Sequence, residues 1–329
     1  MVTDQAEGQT GVDVAGRTQS LSVSGATGAG TTGAGATGAG VPGTRVTQEA
    51  CGCEQPASGG DVRSYVYAFG NVSFRFPNIS IERELTQANA GISDSIDYYE
   101  VLSRPHNQYL VRQLCWILSI SGVETYILAP SDPAMYAELV NALRFPDDPN
   151  EKHGRLELVV GLRGPRAPAE ACNGLLLPIV RLDQLYSFTH KDLITAAKDA
   201  ASKLPEKEAL TEKEMKSFDG VATSVFDERI LQLADNAGAS DEHRALNYMA
   251  VRIPQFYMRV VRQRQLGAPL SRIDVLPSRM ADTSGRRLVN IVLAFRDANG
   301  VEDKFRTRID VTDEFPFRDL PLSPYYDRS

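Results

Sequence analysis

The chain has 329 residues and carries 35 Lys and Arg against 42 Asp and Glu, a formal net charge of −7. This acidic balance argues against a general nucleic-acid surface, which would show as a basic surplus. No apolar run approaches the roughly 20 residues that span a bilayer, and the start MVTDQAEGQTG lacks the basic and apolar stretches of a signal peptide, so a cytoplasmic protein without membrane or nucleic-acid partners is expected.

The first sixty residues hold fourteen of the 26 glycines and no Phe, Trp, Tyr or Lys. So little apolar surface cannot offset a backbone ordering cost of roughly 1–2 kcal/mol per residue. GATGAG at Gly25 to Gly30 recurs at Gly35 to Gly40, the composition of a flexible tether. Residues 1–60 are therefore expected to be a disordered Gly/Thr/Ala-rich linker.

From Asp61 on, aromatic and β-branched residues appear together. Tyr65 to Phe76 alternates loosely and predicts a strand or hairpin, followed by a short amphipathic segment from Ile81 to Ala88 and a polar loop. Pro105 suits a first helical turn, and Leu110, Leu114, Ile117 and Leu118 fall at helical spacings, which predicts one buried helix stopped by Gly122. Val123 to Leu128 follows as a strand. Ser131 and Asp132 can cap a second helix through Met135, Leu139, Val140 and Leu143. Leu156 to Leu162 and Leu175 to Arg181 are two further strands, joined by the loop GLRGPRAP.

From His190 to about Gly238 the composition turns to Ala, Lys, Glu and Asp, expected as surface helices linking two cores. Ser240 or Asp241 opens a long helix with the stripe Leu246, Met249, Ile253, Phe256, Val260 and Val261, kinked by Pro254 and ended by Gly267. Ile273 to Leu276, Leu288 to Phe295 and Lys304 to Ile309 alternate as strands, with Asp297 to Gly300 as a hairpin turn and FPFRDLPLSPYY as an extended tail. The fold class is thus α+β. A helix-covered mixed β-sheet is expected over 61–190, a charged helical connector over 191–239, and a long helix with antiparallel strands over 240–329.

Motifs for chemistry are sparse. The sequence has no subtilisin-type run around a serine or histidine, no G-x-S-x-G elbow and no phosphate-cradling loop, so no catalytic residue is assigned and an enzyme is not expected. Arg163 and Arg166 follow a strand end, where anionic ligands bind, although a plain exit loop is the simpler explanation. Arg252, Arg259, Arg262 and Arg264 make the long helix basic near Tyr248 and Tyr257. They could dock an acidic peptide, or could pair with the acidic connector. Cys51 and Cys53 are weak metal candidates, with Cys115, Cys172, His106 or His153 as conceivable completing ligands for zinc, but the ligand pattern is incomplete. Cys115 and Cys172 are better explained as reduced, buried thiols. No cofactor is identified.

Several blocks resemble the carboxy-terminal domain of unknown function of PatG-type cyanobactin maturation proteases. They are YVYAFGNVSFRF from Tyr65, RQLCWILSISGVETYIL from Arg112, EACNGLLLPIVRLDQLYSF from Glu170, RALNYMAVRIPQFY from Arg244, and RTRIDVTDEFP. The glycine-rich lead with Cys51 and Cys53 is similar to the linker that follows the protease in such proteins, and the protease itself is missing here. Where some members carry two cysteines in the region matching Asp274 to Val289, this sequence has none, which puts a metal site built on them in doubt.

The resemblance implies a non-catalytic accessory module in the maturation of ribosomally made, modified peptides, with a maturation protease and a precursor peptide as partners. Alternatives are an enzyme using Arg163, Arg166 and Cys172 on a modified peptide, and a structural dimerisation domain, so a homodimer is also a candidate state.

Overall fold

The computed structural model describes residues 64–90, 97–144, 155–203, 209–231, 236–278 and 285–326. The expected tether over 1–60, the Cys51 and Cys53 pair, and His153 lie outside the described residues.

Strand β1, Tyr65–Arg75, is a single strand that serves two partners. Its first half pairs antiparallel with β4 (Arg155–Arg166) and its second half with β2 (Cys115–Ile120). β2 pairs antiparallel with β3 (Val123–Pro130), β3 runs parallel to β5 (Pro178–Thr189), and β5 returns antiparallel to β4. The expected mixed sheet therefore closes into a five-stranded barrel, in the order β1-β2-β3-β5-β4.

Two sequence readings in this half are corrected. The buried helix expected through Leu118 stops at Gln113 as α3 (Gln108–Gln113), because Leu114 is extended and Cys115 begins β2. Trp116, Ile117 and Leu118 are all at most 1% exposed. A run buried on both faces satisfies helix and strand spacing alike. Gly122 is no helix stop; Ser121 and Gly122, at φ of 50° and 79°, form the two-residue turn that joins β2 to β3. Trp116 Nε1 donates to the Val111 carbonyl at 2.9 Å, satisfying one of the acceptors that the end of α3 leaves open. The third strand starts at Pro178 rather than Leu175, and the expected GLRGPRAP loop continues β4 as far as Arg166.

Each barrel face has its own cover. Val66, Ala68, Trp116, Leu118, Leu128 and Val180 pack with α1 (Ile79–Asn89), α2 (Tyr98–Leu102), α3 and α4 (Met135–Ala142). Asn78 starts α1 by accepting from Ser80 N and Ile81 N. The opposite face, with Tyr67, Phe69, Leu156, Leu158 and Val160, joins a core shared with α5 (His190–Ser202), α6 (Glu212–Val225), α7 (Asp241–Arg252), α8 (Pro254–Gln265) and the second sheet. The helices expected to lie on the surface therefore bury Leu193, Ile194, Phe218 and Val221 in that core.

The long kinked helix is instead two helices, α7 and α8, parted at Ile253 (φ −119°, ψ 84°). Pro254 has no N–H for the Ala250 carbonyl, and the Tyr257 hydroxyl donates to it at 2.8 Å. The second sheet runs β6 (Leu270–Pro277), β7 (Leu288–Arg296), β8 (Glu302–Asp310) and β9 (Phe317–Pro324), antiparallel and in that order. β9 lies in the segment expected to be a tail; Pro321 and Pro324 suit an edge strand. As expected, Asp297 shapes the β7–β8 turn, its Oδ1 accepting from Asn299 N and Val301 N.

α7 ties the halves together. Asn247 Nδ2 donates to the Tyr67 carbonyl at 2.8 Å, and Tyr67 N donates to the Gly238 carbonyl at 2.9 Å. Gly238 has φ 65°, and a Cβ there would lie 2.6 Å from the Tyr67 carbonyl oxygen, so only glycine fits. Among the described residues no helix is long and apolar enough to cross a membrane.

Candidate functional site

The barrel has a seam. β1 and β4 stay paired from Tyr65 and Leu162 down to Gly70 and Glu157, and part there. Side chains take over the ladder beyond that point. Val72 N donates to Glu157 Oε2 at 3.1 Å, and Asn71 Nδ2 donates to the Arg155 carbonyl at 2.7 Å. Gly70 permits the close crossing of β2, since a Cβ would collide with the Ser119 carbonyl. Glu157 is 1% exposed, and its Oε1 has no hydrogen-bond partner among the described residues. Burial pushes its carboxyl up to about 7, against the pull of Val72 N and Arg155.

Where the strands part, a cleft of about 220 Å³ opens. Phe69, Leu156, Ile230 and Leu231 supply its apolar walls; Asn71, Ser121, Asp227 and Asn236 supply polar groups. Asp227, Ile230 and Leu231 come from the π-helical turn Phe226–Leu231 that continues α6, a geometry that recurs at functional sites. His190 is the first residue of α5, after a Thr189–Asp192 capping box, and its Nδ1 lies 3.3 Å from Asp227 Oδ1. Its ring centroid is 4.9 Å from that of Phe226. Asn236 is anchored by donating to Asn247 Oδ1 at 2.7 Å. The His190–Asp227 contact joins a buried imidazole to a half-buried carboxylate, and the walls can take a small apolar body.

The residues singled out from sequence lie elsewhere. Arg163 and Arg166 occupy the exposed end of β4, opposite Val180 and Pro178. Cys115 and Cys172 are joined in a disulfide, with Cα atoms 5.5 Å apart, inside a small cluster with Ile127 and Ala167. This corrects the expectation of reduced thiols. In the disulfide neither sulfur is a thiolate ligand for zinc or a nucleophile. Among the described residues no group of three or more His, Cys, Asp or Glu is disposed to hold a metal.

The helix arginines are engaged within the chain. Arg252 lies 5.7 Å over the Tyr186 ring, Arg259 lies 4.1 Å over Phe305, and Arg262 contacts Glu214 at 3.3 Å and donates to the Ala209 carbonyl at 2.9 Å. The Arg262 contact realises the pairing with the acidic connector weighed above. Sequence reasoning passed over His190, Asp227 and Glu157; only Glu157, a charge inside the apolar run LELVVGL, carried a visible signal.

A closed mixed barrel that shares a core with a helix-backed antiparallel sheet defines an α+β module. Residues 65–167 match the PatG Domain and residues 212–325 match the PatG C-terminal model, and the chain belongs to this PatG family. A solved structure, the PatG Domain of Unknown Function, aligns with a TM-score of 0.60 and 20% identity over 80% of this chain and 98% of that one, a likeness of fold. No curated protein matches the chain.

Proposed function

We propose that the chain is a non-catalytic accessory module in the maturation of ribosomally synthesised, modified peptides of the cyanobactin type, binding a precursor peptide or its maturation protease. The size and lining of the seam cleft carry this reading. At about 220 Å³ it falls below the roughly 300–1,000 Å³ of most small-molecule pockets. Apolar walls with a polar rim suit one inserted side chain, as at the anchor positions of protein interfaces.

The test titrates labelled precursor peptide, and separately the protease, into the full chain and an Asn71→Trp variant that fills the cleft from its exposed rim. Binding that weakens about tenfold or more in the variant supports the reading. Absence of binding to both partners rejects it, and unchanged affinity in the variant moves the contact away from the seam. The His190–Asp227 pair favours one second reading, an enzyme acting on a modified peptide; turnover that disappears in His190→Gln would replace the first.

A further inference from the structure

We propose a second binding site, in the groove between α3 and α4, for an apolar carboxylic acid of the kind presented by the last residue of a linear peptide. The groove has a volume of about 190 Å³. Its floor is Leu102, Val111 and Val140, each less than 5% exposed, and Tyr136 also lines it. Ser103, Gln108, Asn141 and Arg112 line it as well and are exposed. Arg112 is the one charged residue in this lining, a cationic spot on a chain of net charge −7.

The local fold explains the arrangement. α3 is cut short where Leu114 turns extended, and Trp116 caps the Val111 carbonyl, so Arg112 sits in the last turn of a short helix whose buried side faces the core. α4 starts just past Pro133, after Asp132 has accepted from Ala134 N at 2.7 Å, and brings Tyr136, Val140 and Asn141 to the other side.

A guanidinium takes a carboxylate through two parallel N–H donors, and the amides of Gln108 and Asn141 can donate to the remaining lone pairs. Beneath that head lies an apolar floor with room for about one side chain. This combination selects a terminal residue: an internal residue offers a carboxylate only as Asp or Glu, whose side chain then has no apolar body to fill the floor, and a longer body does not fit. The same head and body occur in a peptide C-terminus and in a free N-acylated amino acid. Only the peptide source rests on the accessory reading above.

The experiment is calorimetry on the full chain with N-acetyl-leucine, its methylamide, and a tetrapeptide ending in leucine as acid or amide. Both acids are expected to bind, with each amide at least about tenfold weaker. Arg112→Gln should bring the acids down to the level of the amides. Ala137→Phe, which crowds the groove from an exposed lining position, should abolish binding with the melting temperature unchanged. A tetrapeptide acid that outbinds the monomer assigns the site to peptide termini; equal affinity assigns it to small free acids. Equal binding of acid and amide, full binding by Arg112→Gln, or no binding of either acid overturns the proposal. Precursor binding measured on Arg112→Gln separates the two claims. If it persists while acid binding is lost, both sites stand; if wild type binds the acids but no precursor, the groove survives and the accessory reading falls.

Discussion

Arg244 and Glu157 are both removed from solvent, at 0% and 1% exposure, yet the two halves of the fold answer their charges differently. In the sheet half, Arg244 NH1 donates to the Val311 carbonyl at 2.8 Å, and NH2 donates to the carbonyls of Asp313 and Glu314, with Asp241 3.6 Å away. Asp310 is likewise held by Arg286, which together with Arg308 also grips Asp319. In the barrel half, Glu157 has one donor, Val72 N, and an open oxygen at the parted seam. A buried charge whose two terminal nitrogens are both answered, with Nε alone left open, holds structure together. A half-answered one beside a cleft marks a place where local rules yield to something else, and function is the usual reason.

The contrast can be broken experimentally. The largest effect is expected from Arg244→Met, which strands three carbonyls while Asp241 keeps Arg287 at 3.0 Å; urea unfolding should show a loss of about 4 kcal/mol. Next comes Cys115→Ala with Cys172→Ala. The bond closes a loop of sequence separation 57. Its removal should cost about 3 kcal/mol, and reductant should then leave the variant's unfolding curve unmoved.

Glu157→Gln should act in the opposite direction, and only at higher pH. The folded carboxyl titrates at about 7 against an ordinary 4.5, so the fold favours the protonated form. Stability is full below the unfolded value, falls as pH rises between the two, and is flat above the folded one. Unfolding of wild type at pH 5 and pH 8 should differ by about 2 kcal/mol from this group, and glutamine should erase the difference. A wild type with no such slope would make the seam as quiet as the sheet. The smallest effect, about 1 kcal/mol, is expected for Tyr257→Phe, which leaves the Ala250 carbonyl unpaired at the α7–α8 break.

Legibility in the sequence followed the range of the interactions. β1, α1, β3, α4, the Asp297–Gly300 turn and the strands β6 to β8 announce themselves through local spacing and turn chemistry. CWILSI does not, because a segment buried on both faces has no period to read. α5 and α6 looked like surface because their apolar stripe, such as Leu193, Ile194 and Ala197, is narrow and set among Lys and Asp. The disulfide and the cleft were invisible for one shared reason: Cys115 with Cys172, and Asn71 with Asp227 and Asn236, meet only after the barrel has closed.

That closure also decides where this protein can be extended by another chain. Every barrel strand has two neighbours, even though β1 and β4 part at the seam, whereas β6 and β9 each have a neighbour on one side alone. Prolines at 321 and 324 remove two donors from β9. β6 has its only proline, Pro277, at its last position, which leaves Leu270–Leu276 as the uninterrupted template for strand addition, whether by a bound peptide or by a misfolded copy. A single proline placed in the middle of β6 on its outward-donating register would therefore guard this edge against strand-to-strand growth.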